Sequence, residues 1–121
     1  MKKIAIVDDE QDIINVLAKY LLRSGKIEIE MFSNPDLARN SIMNGSYDLI
    51  LLDIMMPQIN GIDLLKEIKI NQVASKVILM TAYTTMERIN EAYEIGADDY
   101  ITKPFISLRD VEIKIFDTLN L

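Results

Sequence analysis

Short apolar runs without polar alternation are the feature that most constrains how this chain can fold. Three of them lie at residues 4–7, 49–52 and 77–80. Strands without alternation are covered on both faces, which is typical of a parallel sheet between two layers of helices. A weaker run lies at residues 100–101. The three longer runs predict strands covered on both faces, and the weaker run predicts one further strand.

A further run, at residues 27–32, does alternate and predicts an edge strand. Ile27, Ile29 and Met31 alternate with Glu28 and Glu30. Side chains of a strand point to opposite faces in turn, so the three apolar residues are predicted to face the core.

Segments with helical period separate the runs. Ser24-Gly25 is predicted to end the first helix, Ser33 to cap the start of the second, and Gly96 to end the fourth. The apolar positions that define the helix faces are Ile14, Leu17, Ala18 and Leu21 in the first helix, Ile62, Leu65 and Ile68 in the third, Met86, Ile89, Ala92 and Tyr93 in the fourth, and Leu108, Val111, Ile115 and Leu119 in the fifth.

The alternation of strands and helices predicts a single α/β domain over residues 1–121. A chain of 121 residues, half of them hydrophobic, suits one domain with one substantial core. Short connections and right-handed crossovers place helices on both faces of a parallel sheet, giving a doubly wound (βα)₅ sandwich. In such sheets the functional crevice lies at the carboxyl ends of the strands.

Composition excludes several kinds of chemistry. The chain has no cysteine and no histidine, so thiolate zinc sites, thiol nucleophiles and imidazole bases are excluded. The net charge of −6 argues against direct nucleic-acid binding by this segment. Neither a signal peptide nor a membrane span is recognisable, and the expectation is a cytoplasmic protein.

The predicted strand ends carry the residues that can do chemistry. Asp8 and Asp9 follow the first strand, Asp53 and Thr81 end the third and fourth, and Lys103 follows the fifth. Three carboxylates with a single ammonium group are short of positive charge. Because the chain lacks imidazole and offers oxygen ligands, a hard divalent cation is expected there, Mg²⁺ or else Mn²⁺.

With a cation bound, one carboxylate can attack phosphorus. Asp53 is the candidate nucleophile, with Lys103 and Thr81 binding phosphoryl oxygens. Simpler interpretations stay open for single residues. Residues 8–10 could be an acidic helix N-terminus, and Lys103 a solvated lysine. Asp53 is harder to explain so, because a carboxylate that closes a buried strand lowers stability.

Longer motifs surround these residues, and together they identify a family. They are IAIVDDE at residues 4–10, DLILLDIMMP at 48–57, Asn60-Gly61, MTA at 80–82, GADDY at 96–100 and TKPF at 102–105. Over essentially its whole length the chain resembles the receiver domain of two-component response regulators. The resemblance implies a flavodoxin-like fold with strand order 2-1-3-4-5.

The resemblance also implies a phosphoryl-transfer site. Asp53 would accept the phosphoryl group from a phosphohistidine of a sensor histidine kinase or a histidine phosphotransfer protein, in a reaction that the receiver itself catalyses. Asp9 and Asp53 would bind Mg²⁺ directly and Asp8 directly or through water. The backbone carbonyl of Met55 would supply a further ligand.

Signalling residues follow from the same resemblance. Thr81 and Tyr100 correspond to the pair that changes conformation on phosphorylation. The fourth helix is the weakest element by apolar count and precedes the strand of Tyr100, so the fourth helix, fifth strand and fifth helix are predicted to form the output face. Met55 and Tyr83 occupy positions that tune the lifetime of the phosphoryl group, and both are large here. The Lys103-Pro104 bond is expected to be cis.

Three alternatives remain. A phosphatase of the haloacid-dehalogenase type usually has a second aspartate two residues after its nucleophile, where this chain has Met55. A flavin mononucleotide carrier would need a phosphate-binding loop in place of residues 8–10. The third is a receiver-like interaction module that is not phosphorylated. The sequence leaves open the kinase, the output, the oligomeric state and whether the chain stands alone or belongs to a longer regulator.

Overall fold

Strands and helices alternate strictly along the chain. The computed structural model describes residues 1–57, 59–82 and 86–121, and in these ranges no helix is both long and apolar enough to cross a membrane. The elements are β1 (Lys2–Val7), α1 (Gln11–Leu22), β2 (Ile27–Phe32), α2 (Pro35–Asn44), β3 (Leu49–Asp53), α3 (Gly61–Ile70), β4 (Lys76–Thr81), α4 (Met86–Ile95), β5 (Asp99–Thr102) and α5 (Leu108–Leu119).

The five strands form one parallel sheet in the order β2-β1-β3-β4-β5. This confirms the predicted (βα)₅ fold and its strand order. In register, Val7 of β1 pairs with Leu52 of β3, and Leu52 pairs with Leu79 of β4. The inner strands therefore end at nearly the same level. The strand order reverses between β1 and β3, so a crevice opens at their carboxyl ends.

Alternate side chains of the strands build two separate core layers. Ile4 and Ile6 of β1 pack with the apolar faces of α1 and α5. Ala5 and Val7 point the other way and pack with α2, α3 and α4. Because every inner strand contributes to both layers, it needs apolar residues at consecutive positions. This requirement explains the unbroken runs in the sequence.

The edge strand β2 departs from its predicted burial at one residue. Ile27 is buried and Ile29 is partly buried against the layer of α1 and α5, as predicted. Met31 is exposed, so its predicted burial is wrong. A residue near the end of an edge strand has a neighbouring strand on one side only, and alternation alone does not provide it with cover.

The N-terminus of α2 is capped by Asn34, and the predicted cap Ser33 is wrong. The side-chain oxygen of Asn34 accepts hydrogen bonds from the backbone N–H groups of Asp36, at 2.9 Å, and Leu37, at 3.4 Å. Pro35 occupies the first helical position, where its fixed φ suits a helix start. The proline therefore determines where the helix begins, and the residue directly before it becomes the cap.

Helix α4 is anchored more weakly than the sequence pattern predicts. Of the four residues predicted to share its apolar face, Ala92 is buried and Ile89 is partly buried, whereas Met86 and Tyr93 are exposed. Gly96, with a φ of 125°, follows the helix end as predicted. The helix thus rests on the sheet through a small apolar contact.

Replacing Asn34 by alanine tests the cap. We expect the free energy of unfolding to fall by about 1 kcal/mol, because two backbone N–H groups of α2 lose their acceptor. Ser33→Ala is the matched control and should change it by less than about 0.5 kcal/mol. Urea unfolding followed by circular dichroism measures both. Equal losses in the two variants would contradict the assignment of the cap.

Candidate functional site

The carboxyl ends of the strands bring the predicted residues to one edge of the sheet. Asp53 and Thr81 are the last residues of β3 and β4, and Asp8 and Lys103 directly follow β1 and β5. The Lys103 N–H donates a hydrogen bond to the Thr81 carbonyl oxygen, at 2.8 Å, which extends the pairing of β4 and β5 by one residue. The backbone ladder therefore fixes where the lysine leaves the sheet.

The Lys103 ammonium group lies at the centre of this edge. Its Nζ is 2.8 Å from Asp8 Oδ2, 3.0 Å from Glu10 Oε1 and 3.5 Å from Asp53 Oδ2. Asp8 is fully buried, and the relative exposures of Asp53 and Lys103 are 3% and 7%. Lys103 is thus not a solvated surface lysine, and its charge is shared among three carboxylates.

Glu10 is a member of this cluster that sequence reasoning did not assign. It occupies the N-cap position of α1 without capping the helix through its side chain, which is 57% exposed and points its carboxylate to Lys103. The Glu10 N–H donates to Asp8 Oδ1, at 2.9 Å, and this turn holds the two acidic residues together. A signal was present, since Glu10 also follows the end of β1.

The electrostatics of the cluster reflect its shortage of positive charge. Burial and then the charge of Asp8 raise the pKa of Asp53 to about 7, although Lys103 and the hydrogen bond from Met55 act in the opposite direction. Burial would lower the pKa of Lys103, but hydrogen bonds to Asp8 and Glu10 and the charge of Asp53 raise it above its usual value. A protonated lysine therefore lies beside a carboxyl group whose ionised form is disfavoured.

The donor set at this edge fits a hard divalent cation. Carboxylate oxygens of Asp8, Asp9 and Glu10 lie within 4.8 Å of one another, with Asp9 and Glu10 exposed to solvent. Asp53 adjoins this group through Lys103. Oxygen donors in excess over cations, with solvent access for water ligands, match the preference of Mg²⁺. Asp8, Asp9 and Asp53 thus remain suitable metal ligands, and Glu10 lies beside them on Lys103.

The loop after β3 is held by its own hydrogen bonds. The Met55 N–H donates to Asp53 Oδ1, at 3.3 Å, and Met55 forms an isolated antiparallel bridge with Asn60. Asn60 in turn caps α3, because its side-chain oxygen accepts from the Ile62 N–H at 2.8 Å. Met55 is 60% exposed at the mouth of the site. Asn60 therefore fixes the loop at both contacts.

Gly61 packs directly on the backbone of Asp53. A Cβ atom at this position would lie 2.9 Å from the Asp53 carbonyl carbon and 2.7 Å from Ile54 Cα, too close for any side chain. The Gly61 N–H also donates to the Ile54 carbonyl oxygen at 2.8 Å. The start of α3 is therefore held against the end of β3, which explains the glycine of the Asn60-Gly61 motif.

The two predicted switch residues lie beside the same small void. Thr81 is buried and Tyr100 is partly buried, and both line an apolar void of about 10 Å³ between the sheet and α4. The Lys103-Pro104 bond is cis, as the resemblance implies. Tyr83, the second predicted lifetime-tuning residue, lies outside the described residues.

Comparison with protein families and curated proteins agrees with the resemblance. The model of the response regulator receiver domain matches residues 4–115. The response regulator SaeR of Staphylococcus aureus is 36% identical over 120 residues, which are 99% of this chain and 51% of SaeR. The chain therefore spans about half the length of the curated relatives it matches.

Solved structures extend the comparison to the fold. A CheY-like receiver domain protein from Methanospirillum hungatei has a TM-score of 0.89 and 32% identity, covering 99% of this chain and 94% of its own. The response regulator DrrB of Thermotoga maritima, an OmpR/PhoB homologue, has a TM-score of 0.87 and 28% identity, covering 99% of this chain and 53% of its own. The DrrB receiver domain has also been solved in a BeF3-activated form.

Removal of the Asp53 charge should stabilise the metal-free protein. At pH 8 we expect Asp53→Asn to raise the free energy of unfolding by about 1 kcal/mol or more. The pKa of Asp53 is about 7 in the folded protein, above that of an unfolded aspartate, so its ionisation lowers stability as the pH rises, by about 1.4 kcal/mol per pH unit between the two values. Asp63→Asn, on the exposed face of α3, is the control and should stay within about 0.5 kcal/mol. Urea titration in the presence of a chelator provides the measurement. A destabilised Asp53→Asn would show that Lys103 already compensates the cluster.

Proposed function

The chain belongs to the response regulator receiver family of two-component systems, and we propose that it accepts a phosphoryl group on Asp53. One observation carries the proposal. Asp53 is a buried carboxylate at the end of β3, 3.5 Å from the Lys103 ammonium group and next to further acidic residues. This combination lowers stability, and a role in covalent chemistry gives a reason for keeping it.

The residues of the cluster suit phosphoryl transfer. A bond forms between an Asp53 carboxylate oxygen and phosphorus as the bond from phosphorus to the donor breaks, and the electron pair stays with the donor. The Lys103 ammonium group binds one phosphoryl oxygen, and the Thr81 hydroxyl binds another. Such a transfer depends on position and charge more than on acid–base catalysis, so the absence of histidine is no obstacle.

A bound Mg²⁺ would neutralise charge on the phosphoryl oxygens and on the crowded carboxylates. We assign Asp8, Asp9 and Asp53 as its side-chain ligands, with the Met55 carbonyl as a fourth protein ligand. Mn²⁺ has the same preference for oxygen and would substitute. The residues themselves supply the fixed geometry, through the turn at Asp8 and the loop held by Asn60.

The phosphodonor and the recipient of the signal follow from the family. We propose a sensor histidine kinase or a histidine phosphotransfer protein as the donor, in the cytoplasm. SaeR and DrrB are each about twice the length of the region they share with this chain. We therefore also propose that the signal passes to an output domain or an effector protein, and that this segment does not itself bind nucleic acid.

Phosphorylation would be reported through Thr81, Tyr100 and the face formed by α4, β5 and α5. The Thr81 hydroxyl moves to the phosphoryl group and the Tyr100 ring moves into the space it leaves. The present void of about 10 Å³ has room for no more than about one water molecule, so we expect α4 to shift when the ring moves. Because the apolar contact of α4 with the sheet is small, we expect that shift to cost little free energy. Met55 and Tyr83 would set how long the group persists by blocking water.

Incubation with acetyl phosphate and Mg²⁺ tests the acceptor. We expect intact mass spectrometry to find one added phosphoryl group on the wild type and none on Asp53→Asn. Lys103→Met should reduce the initial rate by about 10²-fold or more, the effect of losing one fixed charge at a transferring group.

Asp63→Asn is the control for this experiment, because it removes an aspartate from the exposed face of α3. It should be phosphorylated at the wild-type rate. Equal labelling of the wild type and Asp53→Asn would reject Asp53 as the acceptor. A complete lack of labelling of the folded wild type with several small donors would favour the interaction module.

Mg²⁺ should stabilise the folded protein through the same residues. At a free concentration ten times its dissociation constant, a ligand specific to the native state adds about 1.4 kcal/mol to the free energy of unfolding. Asp9→Asn should lose most of this gain, since it removes an exposed ligand with little effect on packing. Urea titration with and without MgCl₂ measures it. Unfolding that is indifferent to Mg²⁺ in the wild type would argue against the metal site.

A further inference from the structure

The Lys114 ammonium group contacts the strand that carries Tyr100. Its Nζ donates a hydrogen bond to the Tyr100 carbonyl oxygen at 2.9 Å and lies 3.6 Å from Asp99 Oδ1. The same ammonium group lies 5.0 Å from the centroid of the Tyr100 ring. One side chain of α5 therefore contacts both the backbone and the ring of the residue proposed to move.

Tyr93 of α4 approaches the Tyr100 ring as well. The two rings meet edge to face, with centroids 6.3 Å apart and planes at 74°. The Tyr93 hydroxyl donates to Asp99 Oδ1 at 3.4 Å, and Asp99 Oδ1 also accepts from the Tyr100 N–H at 2.8 Å. A single carboxylate oxygen of Asp99 thus contacts Tyr93, Lys114 and the Tyr100 N–H.

We infer that Lys114 and Tyr93 form a clamp that holds the Tyr100 ring in its present position and so sets the resting balance of the switch. The inference rests on the proposed role of Thr81 and Tyr100. Lys114 and Tyr93 are positioning residues, because both act through Tyr100. Movement of the ring further into the void beside Thr81 would separate it from the Lys114 ammonium group and change its edge-to-face angle with Tyr93, which lines the same void. The hydrogen bond from Lys114 to the Tyr100 carbonyl oxygen would stay in place.

The size of the bias follows from the contacts that are lost. A cation over an aromatic ring at a partly exposed site changes the ratio of two conformers by about two- to fivefold. An edge-to-face aromatic pair adds an effect of about the same size or somewhat larger. A ligand that selects the inward conformer binds less tightly by the same factor while the clamp is intact. The clamp would therefore lower both the resting signal and the affinity for a phosphoryl mimic.

The experiment compares Lys114→Met with two matched variants. Methionine keeps an unbranched side chain but removes the charge, Lys114→Arg keeps the cation, and Lys26→Met removes an exposed lysine in the α1–β2 connection. Fluorine NMR of 3-fluorotyrosine-labelled protein follows Tyr100, assigned through Tyr100→Phe. Titration with beryllofluoride and Mg²⁺ gives the apparent affinity.

We expect Lys114→Met to increase the inward population of Tyr100 about two- to fivefold without beryllofluoride, and the apparent affinity by the same factor. Tyr93→Leu should act in the same direction. Lys114→Arg and Lys26→Met should resemble the wild type. A Tyr100 signal and affinity in Lys114→Met equal to those of Lys26→Met, in protein with an unchanged thermal melt, would overturn the clamp.

This experiment distinguishes failure of the proposed switch from failure of the clamp. If the wild-type Tyr100 signal does not respond to beryllofluoride, the proposed switch itself is wrong. Suppose instead that the Tyr100 signal responds to beryllofluoride in the wild type but not in Asp53→Asn. If Lys114→Met and Tyr93→Leu then leave the signal unchanged, the switch stands and the clamp alone is wrong.

Discussion

One buried ammonium group holds the functional edge of this domain together. Lys103 reaches Asp8, Glu10 and Asp53 within 3.5 Å, and it connects the loop after β1 and the end of β3 with the loop after β5. One positive charge cannot balance three negative ones, so the edge is organised but electrostatically unsatisfied. Burial, together with that imbalance, raises the pKa of Asp53, and carboxylates in excess over cations are the kind of donor set that a hard divalent cation binds.

The sequence predicted the strands, the helices and the convergence of residues at strand ends because both depend on local pattern. Unbroken apolar runs at residues 49–52 and 77–80 follow from burial on two faces, and residues directly after such runs must lie at one edge. The strand order had a different source. Periodicity does not encode which strands pair, and the order 2-1-3-4-5 came from the family resemblance.

The errors occurred where local pattern allowed two choices or where the third dimension decided. Ser33 and Asn34 can both cap a helix, and Pro35 selects the residue next to it. Met31 alternates correctly but lies on an edge strand without cover. Glu10 looked like a helix-terminal acid, and its contact with Lys103, 93 residues away, depends on the register of β1 and β5 across the sheet. Such long-range pairs leave little trace in one sequence.

Strand β3 has a mechanical consequence for the whole domain. All five of its residues are buried, it lies in the middle of the sheet, and Gly61 closes on the backbone of its last residue. Displacement of Asp53 would disturb packing in both core layers at once, so we expect β3 to keep its position. Charge added at Asp53 by the proposed phosphorylation would have to be accommodated by its surroundings. We expect that accommodation in α4, whose one buried side chain in the described structure is Ala92.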